Sequence, residues 1–136
     1  MSDRFTDRVA LIAGGASEIG PAVATQIASE GGRVALWDLD AGKLETAQSQ
    51  SAAASVHVVD ATIASDVDAA YAGPPCVSAA TGASMVNDVP PEAVENMKRM
   101  VPMGRIAAAP ETADLLCFMV SESCSFTTGA VLMQPW

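Results

Sequence analysis

Val9-Ala10-Leu11-Ile12-Ala13-Gly14-Gly15-Ala16-Ser17-Glu18-Ile19-Gly20 is the stretch that decides the fold. Its first five residues form an unbroken apolar run, the pattern of a strand buried on both faces of a parallel sheet. A Gly-rich turn follows. Ile19, Val23, Ile27 and Ala28 then recur at helical spacing, and Gly31-Gly32 ends the helix. Working outward, Val34 to Trp37 is a second buried strand, closed by Asp38-Leu39-Asp40. Helix formers run from Ala41 to about Ser51. Val56 to Val59 is a third strand, closed by Asp60, and Ser65-Asp66 starts a helix through Ala70. This alternation predicts a parallel α/β sheet with right-handed crossovers.

The pattern changes beyond Tyr71. Gly73-Pro74-Pro75 is a break, and Cys76 to Ala80 is a weak strand candidate followed by small, polar loop residues to Ser84. Pro90-Pro91 starts a helix that runs to about Met100, with Glu92 and Glu95 near its positive end. Pro110-Glu111 starts another, with Leu115, Leu116, Phe118 and Met119 as its apolar face. Thr128-Gly129 turns into a last strand, Ala130 to Met133.

The bulk properties narrow the function. The chain has 136 residues, half of them apolar, which suits one globular domain over residues 1–136. A net charge of −9 argues against nucleic acid and anionic membranes as partners. Cys76, Cys117 and Cys124 lack metal-ligand spacing, so no metal is expected. An odd cysteine count without a secretion signal reads as free thiols in the cytoplasm. No apolar run approaches membrane-spanning length.

The Gly-rich turn has the context a dinucleotide site requires: a buried strand before it, a helix after it, and an acidic residue, Asp38, at the tip of the next strand. Glycines admit a pyrophosphate close to the backbone, and helix amides bind it. Asp38 can accept hydrogen bonds from the adenosine ribose hydroxyls, which favours NAD over NADP. His57, among valines, reads as a core or solvent-facing histidine according to strand register. Cys124 has no adjacent base.

Arg8 to Asp38 resembles the opening of the short-chain dehydrogenases/reductases, whose turn reads Thr-Gly-x-x-x-Gly-x-Gly. Val59-Asp60-Ala61-Thr62 is similar to the segment after the family's third strand, where the Asp contacts adenine. The tail is similar too, through Val101-Pro102-Met103-Gly104-Arg105, Pro110-Glu111-Thr112-Ala113-Asp114 and Thr128-Gly129-Ala130-Val131-Leu132. The resemblance implies that Gly14, Ser17, Ile19, Gly20, Asp38, Leu39, Asp60 and Ala61 hold the adenosine and pyrophosphate parts of NAD. Residues 1–70 are then an adenosine half, and 76–136 a strand–helix–helix–strand remnant.

The family's chemistry needs a Ser, and a Tyr and Lys four residues apart, the Tyr serving as general acid/base and the ammonium lowering its pKa. Here the single tyrosine, Tyr71, has Pro75 four residues on, and the lysines are Lys43 and Lys98. No catalytic residue is therefore assigned. Ala13 replaces the Thr of the turn, Glu18 its middle Gly, and Ala79-Ala80 and Ala83 the nicotinamide-side Pro-Gly and Thr. An ionised Glu18 at a helix start takes the charge site of a pyrophosphate: two unit charges about 4 Å apart repel by about 4 kcal/mol at an effective dielectric near 20.

The expected architecture is one doubly wound Rossmann-like sheet of about five strands in the order 3-2-1-4-5, with the Cys76 strand beside the first. The expected function is an NAD-site domain descended from an NAD-dependent alcohol or carbonyl oxidoreductase and impaired in catalysis. The alternatives are an active oxidoreductase that takes its catalytic groups from outside this sequence, through a partner chain or because a longer protein is interrupted near 70–76, and a non-catalytic oligomerisation or interaction module. A homo-oligomer is expected because the tail carries more apolar surface than a small monomer covers.

Overall fold

The computed structural model describes residues 3–70, 77–80 and 89–125. Along the chain run β1 (Val9–Ala13), α1 (Ile19–Ser29), β2 (Arg33–Asp38), α2 (Ala41–Gln50), β3 (Ser55–Val58), α3 (Ala64–Ala70), β4 (Val77–Ala80), α4 (Pro91–Met100), α5 (Ala109–Met119) and a 3₁₀ turn at Glu122–Cys124. β1, β2 and β3 lie side by side in chain order, and β4 flanks β1 on its other side. The order is β3-β2-β1-β4, every pair parallel. Ala13 faces Trp37 and Asp38 faces Val58, so β1, β2 and β3 end at the same edge of the sheet.

This corrects the expected five strands in the order 3-2-1-4-5: the described sheet has four. The described chain after β4 is helical, and α5 is spent covering α1 rather than leading to a further described strand. The strand expected at Ala130 to Met133 lies outside the described residues.

Strand alternation sorts the core into two layers. Ala10 and Ile12 of β1, with Val34 and Leu36 of β2, face α1 and α2. Val23, Ala24 and Ile27 supply the α1 stripe, and Leu44 and Ala47 the α2 stripe. Full burial of each larger side chain contributes about 1.5–3 kcal/mol. On the opposite face Leu11, Trp37 and Val59 form a smaller cluster, closed by Val67 and Ala70 of α3. His57 is on edge strand β3 and exposed, which resolves its register toward solvent.

Phe5, before β1, plugs the end of the larger layer. Its amide donates to the Glu30 carbonyl at 3.0 Å, and Arg4 forms a two-pronged ion pair with the Glu30 carboxylate. α5 docks on α1 through the fully buried Ala113 and Cys117, with Gln26 Nε2 donating to Asp114 Oδ1 at 2.8 Å. Phe118 and Met119, expected on its inward face, are exposed. The stripe that meets α1 is the four-residue step Ala113–Cys117, because only small side chains let the two helices approach there.

Candidate functional site

The edge where β1, β2 and β3 end carries the residues singled out in the sequence. Gly14 leaves β1 at φ +68°, a left-handed conformation that side chains resist. The Gly15 amide then donates to the Trp37 carbonyl at 2.9 Å, stitching the turn to β2. A Cβ on Gly15 would stand 2.8 Å from Leu36 Cβ, so this glycine, unassigned in the sequence reading, is a packing requirement. A Cβ on Gly20 would stand 2.2 Å from the Gly15 carbonyl oxygen. The helix can start this close to the turn only because residue 20 has no side chain. Pro21 is tolerated beside it because the first helical turn has no intrahelical use for that N–H.

Asp38 ends β2. Its Oδ2 accepts from the Ala16 amide at 3.1 Å and its Oδ1 from the Asp40 amide at 3.2 Å. The carboxylate is thus pinned against the Gly-rich turn, and each oxygen retains acceptor capacity for a ligand hydroxyl. Asp40 caps α2 by accepting from the Lys43 amide at 3.0 Å. Asp60, just past β3, accepts from both the amide and the hydroxyl of Thr62, at 2.9 and 2.6 Å. Those two bonds, the hydroxyl's foremost, hold its carboxyl below the ordinary range. Leu39 and Ala61 are exposed beside these two aspartates, and Ile19 is half-buried at the start of α1.

A cleft of about 460 Å³ opens on the α2 side of the turn, lined by Ala16, Ser17, Glu18, Asp40, Lys43 and Gln50 among others. Sequence reasoning missed the α2 contribution, because Lys43 and Gln50 belong to no motif and come into place only when α2 packs beside α1. The Ser17 hydroxyl is buried and has no hydrogen-bond partner among the described residues. Such a group is uncommon without a ligand or water to satisfy it. A pinned carboxylate with spare acceptor capacity and an unpartnered buried hydroxyl on the same turn could both receive the hydroxyls of a ligand. Ala83, expected on the nicotinamide side, lies outside the described residues, as do Tyr71, Pro75 and Cys76. Cys117 is buried and Cys124 partly so, both as free thiols. Among the described residues no cluster could hold a metal, and no helix is long and apolar enough to cross a membrane.

The parallel sheet, the glycine turn between β1 and α1, and the acidic end of β2 define a Rossmann-like α/β fold of the dinucleotide-binding type. Comparison with known proteins agrees at that level. Over 46 residues, 34% of this chain, it is 41% identical to a 2-dehydro-3-deoxy-L-rhamnonate dehydrogenase (NAD(+)) of a Sphingomonas species, and the match spans 18% of that protein's length. In fold it is similar to a citronellol catabolism dehydrogenase of Pseudomonas aeruginosa PAO1 (TM-score 0.71, 17% identity, 95% of this chain and 93% of that one). It is also similar to a structure titled ribose-5-phosphate isomerase from Brucella melitensis 16M (TM-score 0.77, 14% identity, 95% and 91%). No family model matches. The sequence likeness to a dehydrogenase is confined to those 46 residues, and the shared architecture alone selects no reaction.

Proposed function

We propose that this chain is a nucleotide-binding domain of short-chain dehydrogenase/reductase descent, formed by residues 1–136, which holds the adenosine part of NAD and is impaired as a dehydrogenase. The observation that carries this reading is the pinned Asp38 carboxylate, fixed by the Ala16 amide at the sheet edge shared with Gly14 and Asp60. In this reading Asp38 takes the ribose hydroxyls. Leu39, Asp60 and Ala61 border the adenine, and Gly14, Ser17, Ile19 and Gly20 border the phosphates. The likeness to an NAD(+)-dependent dehydrogenase supports the choice of cofactor. Hydride transfer to or from a carbonyl needs a proton relay, and the sequence offers no Tyr and Lys at the spacing that would provide one.

A non-catalytic interaction role is the second reading. It is favoured by Met97, Met100, Met103, Phe118 and Met119, large apolar side chains exposed on or next to α4 and α5. A homo-oligomer formed through that region fits both readings, and sedimentation of the pure protein tests it.

Isothermal titration with NADH and with adenosine tests the first reading. Adenosine is expected to bind the wild type, and Asp38→Ala to weaken it at least about tenfold, the loss of about 1.4 kcal/mol that a charge-assisted hydrogen bond supplies. Equal binding by wild type and D38A sinks the assignment. Robust alcohol oxidation by the pure chain sinks the claim of impaired catalysis.

A further inference from the structure

We infer that Asp40 is a positioning residue of this site, a cap of α2 whose amide aims the Asp38 carboxylate at ribose hydroxyls, an inference that rests on the adenosine reading above. Asp40 spends its own side chain on α2. Oδ1 accepts from the Lys43 amide at 3.0 Å, and the Lys43 ammonium lies 3.8 Å from Oδ2. The Asp40 carbonyl accepts from the Leu44 amide at 3.0 Å, and Leu44 is buried in the core. Asp40 is thereby fixed to a helix that the sheet holds. Its remaining polar group, the amide, donates to Asp38 Oδ1 at 3.2 Å.

Two elements therefore grip one carboxylate. The Ala16 amide of the Gly-rich turn holds Oδ2 at 3.1 Å, and the Asp40 amide holds Oδ1 from the α2 side. Donors on both oxygens fix the plane of a carboxylate, whereas a single donor leaves it free to turn about its Cβ–Cγ bond. A carboxylate already oriented receives hydroxyls without the cost of ordering. The start of α2 needs the cap. Gly42 stands in its first turn, and glycine disfavours helical order. A side-chain acceptor at the N-cap compensates, on an extended backbone at φ −100° and ψ 104°. Leu39, exposed between the two aspartates, is held in place by the same bonds.

The test measures binding of adenosine and of 2′,3′-dideoxyadenosine, which lacks the ribose hydroxyls, by isothermal titration. The wild type is expected to prefer adenosine by at least about tenfold, the preference that hydrogen bonds to Asp38 supply. Asp40→Ala should cut that preference to about threefold or less, with dideoxyadenosine affinity changed less than about twofold. Asp40→Asn keeps a capping acceptor and should hold the preference within about twofold of wild type. Asp40→Gly removes the acceptor at small cost to the helix, and it stands in for D40A should that variant not fold. A preference unmoved in the variants without an acceptor, equal losses for both ligands, or a D40N as weak as D40A assigns Asp40 to α2 alone. Each of those results overturns the inference and leaves the ribose role of Asp38 standing. A wild type that binds neither nucleoside, or both equally, overturns the Asp38 reading and this inference together.

Discussion

The segment from β1 to β3 and the segment from α4 to α5 are built on opposite terms. In the first, β1 and β2 are covered on both faces and the helices α1 and α2 present apolar stripes that the sheet buries. In the second, α4 has no buried residue, and α5 touches the core mainly through Ala113 and Cys117. Even the capping differs. Asp40 caps α2 with its own carboxylate, whereas Ala108 at the start of α5 has none, and Glu111 reaches back to the Ala108 amide at 2.8 Å. The first segment is held by the sheet. The second is held by one helix–helix seam and by surface charge, so it should yield first to any perturbation.

The largest break in this comparison is Gly20→Val. Its side chain would enter the Gly15 carbonyl, and the expected cost is about 3 kcal/mol or more, read as loss of the folded baseline in urea denaturation. Ile12→Ala, at a fully buried position in the centre of the sheet, should cost about 2–5 kcal/mol in the same assay. Both should unfold the whole described unit.

Ala113→Leu sharpens the contrast. Overpacking the seam should cost about 1–3 kcal/mol. It should release α5 while β1 to β3 stay folded, seen as new proteolytic cleavage confined to residues after Gly104. Thiol labelling follows the same event. Burial pushes the Cys117 thiol up to about 11, so at pH 8 it should react far more slowly than the partly exposed Cys124 until A113L frees the seam. A seam released only together with the sheet would erase the distinction between the two segments.

Glu111→Gln is expected to act more weakly and with a defined pH dependence. The Arg105 guanidinium, with the Ala108 amide second, lowers the Glu111 carboxyl to about 2. A depressed pKa stabilises the fold fully above the ordinary carboxylate range, and that contribution disappears as pH falls toward about 2. The difference in Tm between wild type and E111Q should therefore be present at neutral pH and vanish in acid. Smallest of all, Met100→Lys, at a residue 85% exposed, should change stability by less than about 0.5 kcal/mol.

Much of the architecture from β1 to β3 was legible in the sequence because its signals are local. An apolar run, a glycine turn and a strand-end aspartate are contiguous features, and β1, α1 and β2 fall where they point. The third strand was read one residue late, at Val56 to Val59 against Ser55–Val58; Val59, just past the strand, still donates its amide to the Asp38 carbonyl at 3.0 Å and is buried with Leu11 and Trp37. The α5 face was misread in part: Leu116 packs against the core, but Phe118 and Met119 are exposed. Size does not decide orientation. The small residues Ala113 and Cys117 do, since they admit α1.

By itself the sequence determined the alternation of strand and helix, the glycines at the turn, the acidic end of β2 and the excess of negative charge, because each is a property of neighbouring residues or of composition. Only the tertiary structure decided that the described sheet has four strands. It alone joined the Asp38 carboxylate to the Ala16 amide, and brought Glu18, Asp40 and Lys43 into one cleft. Those relations join residues far apart in the chain, and they exist only after the apolar faces of α1 and α2 have been buried against the same side of the sheet.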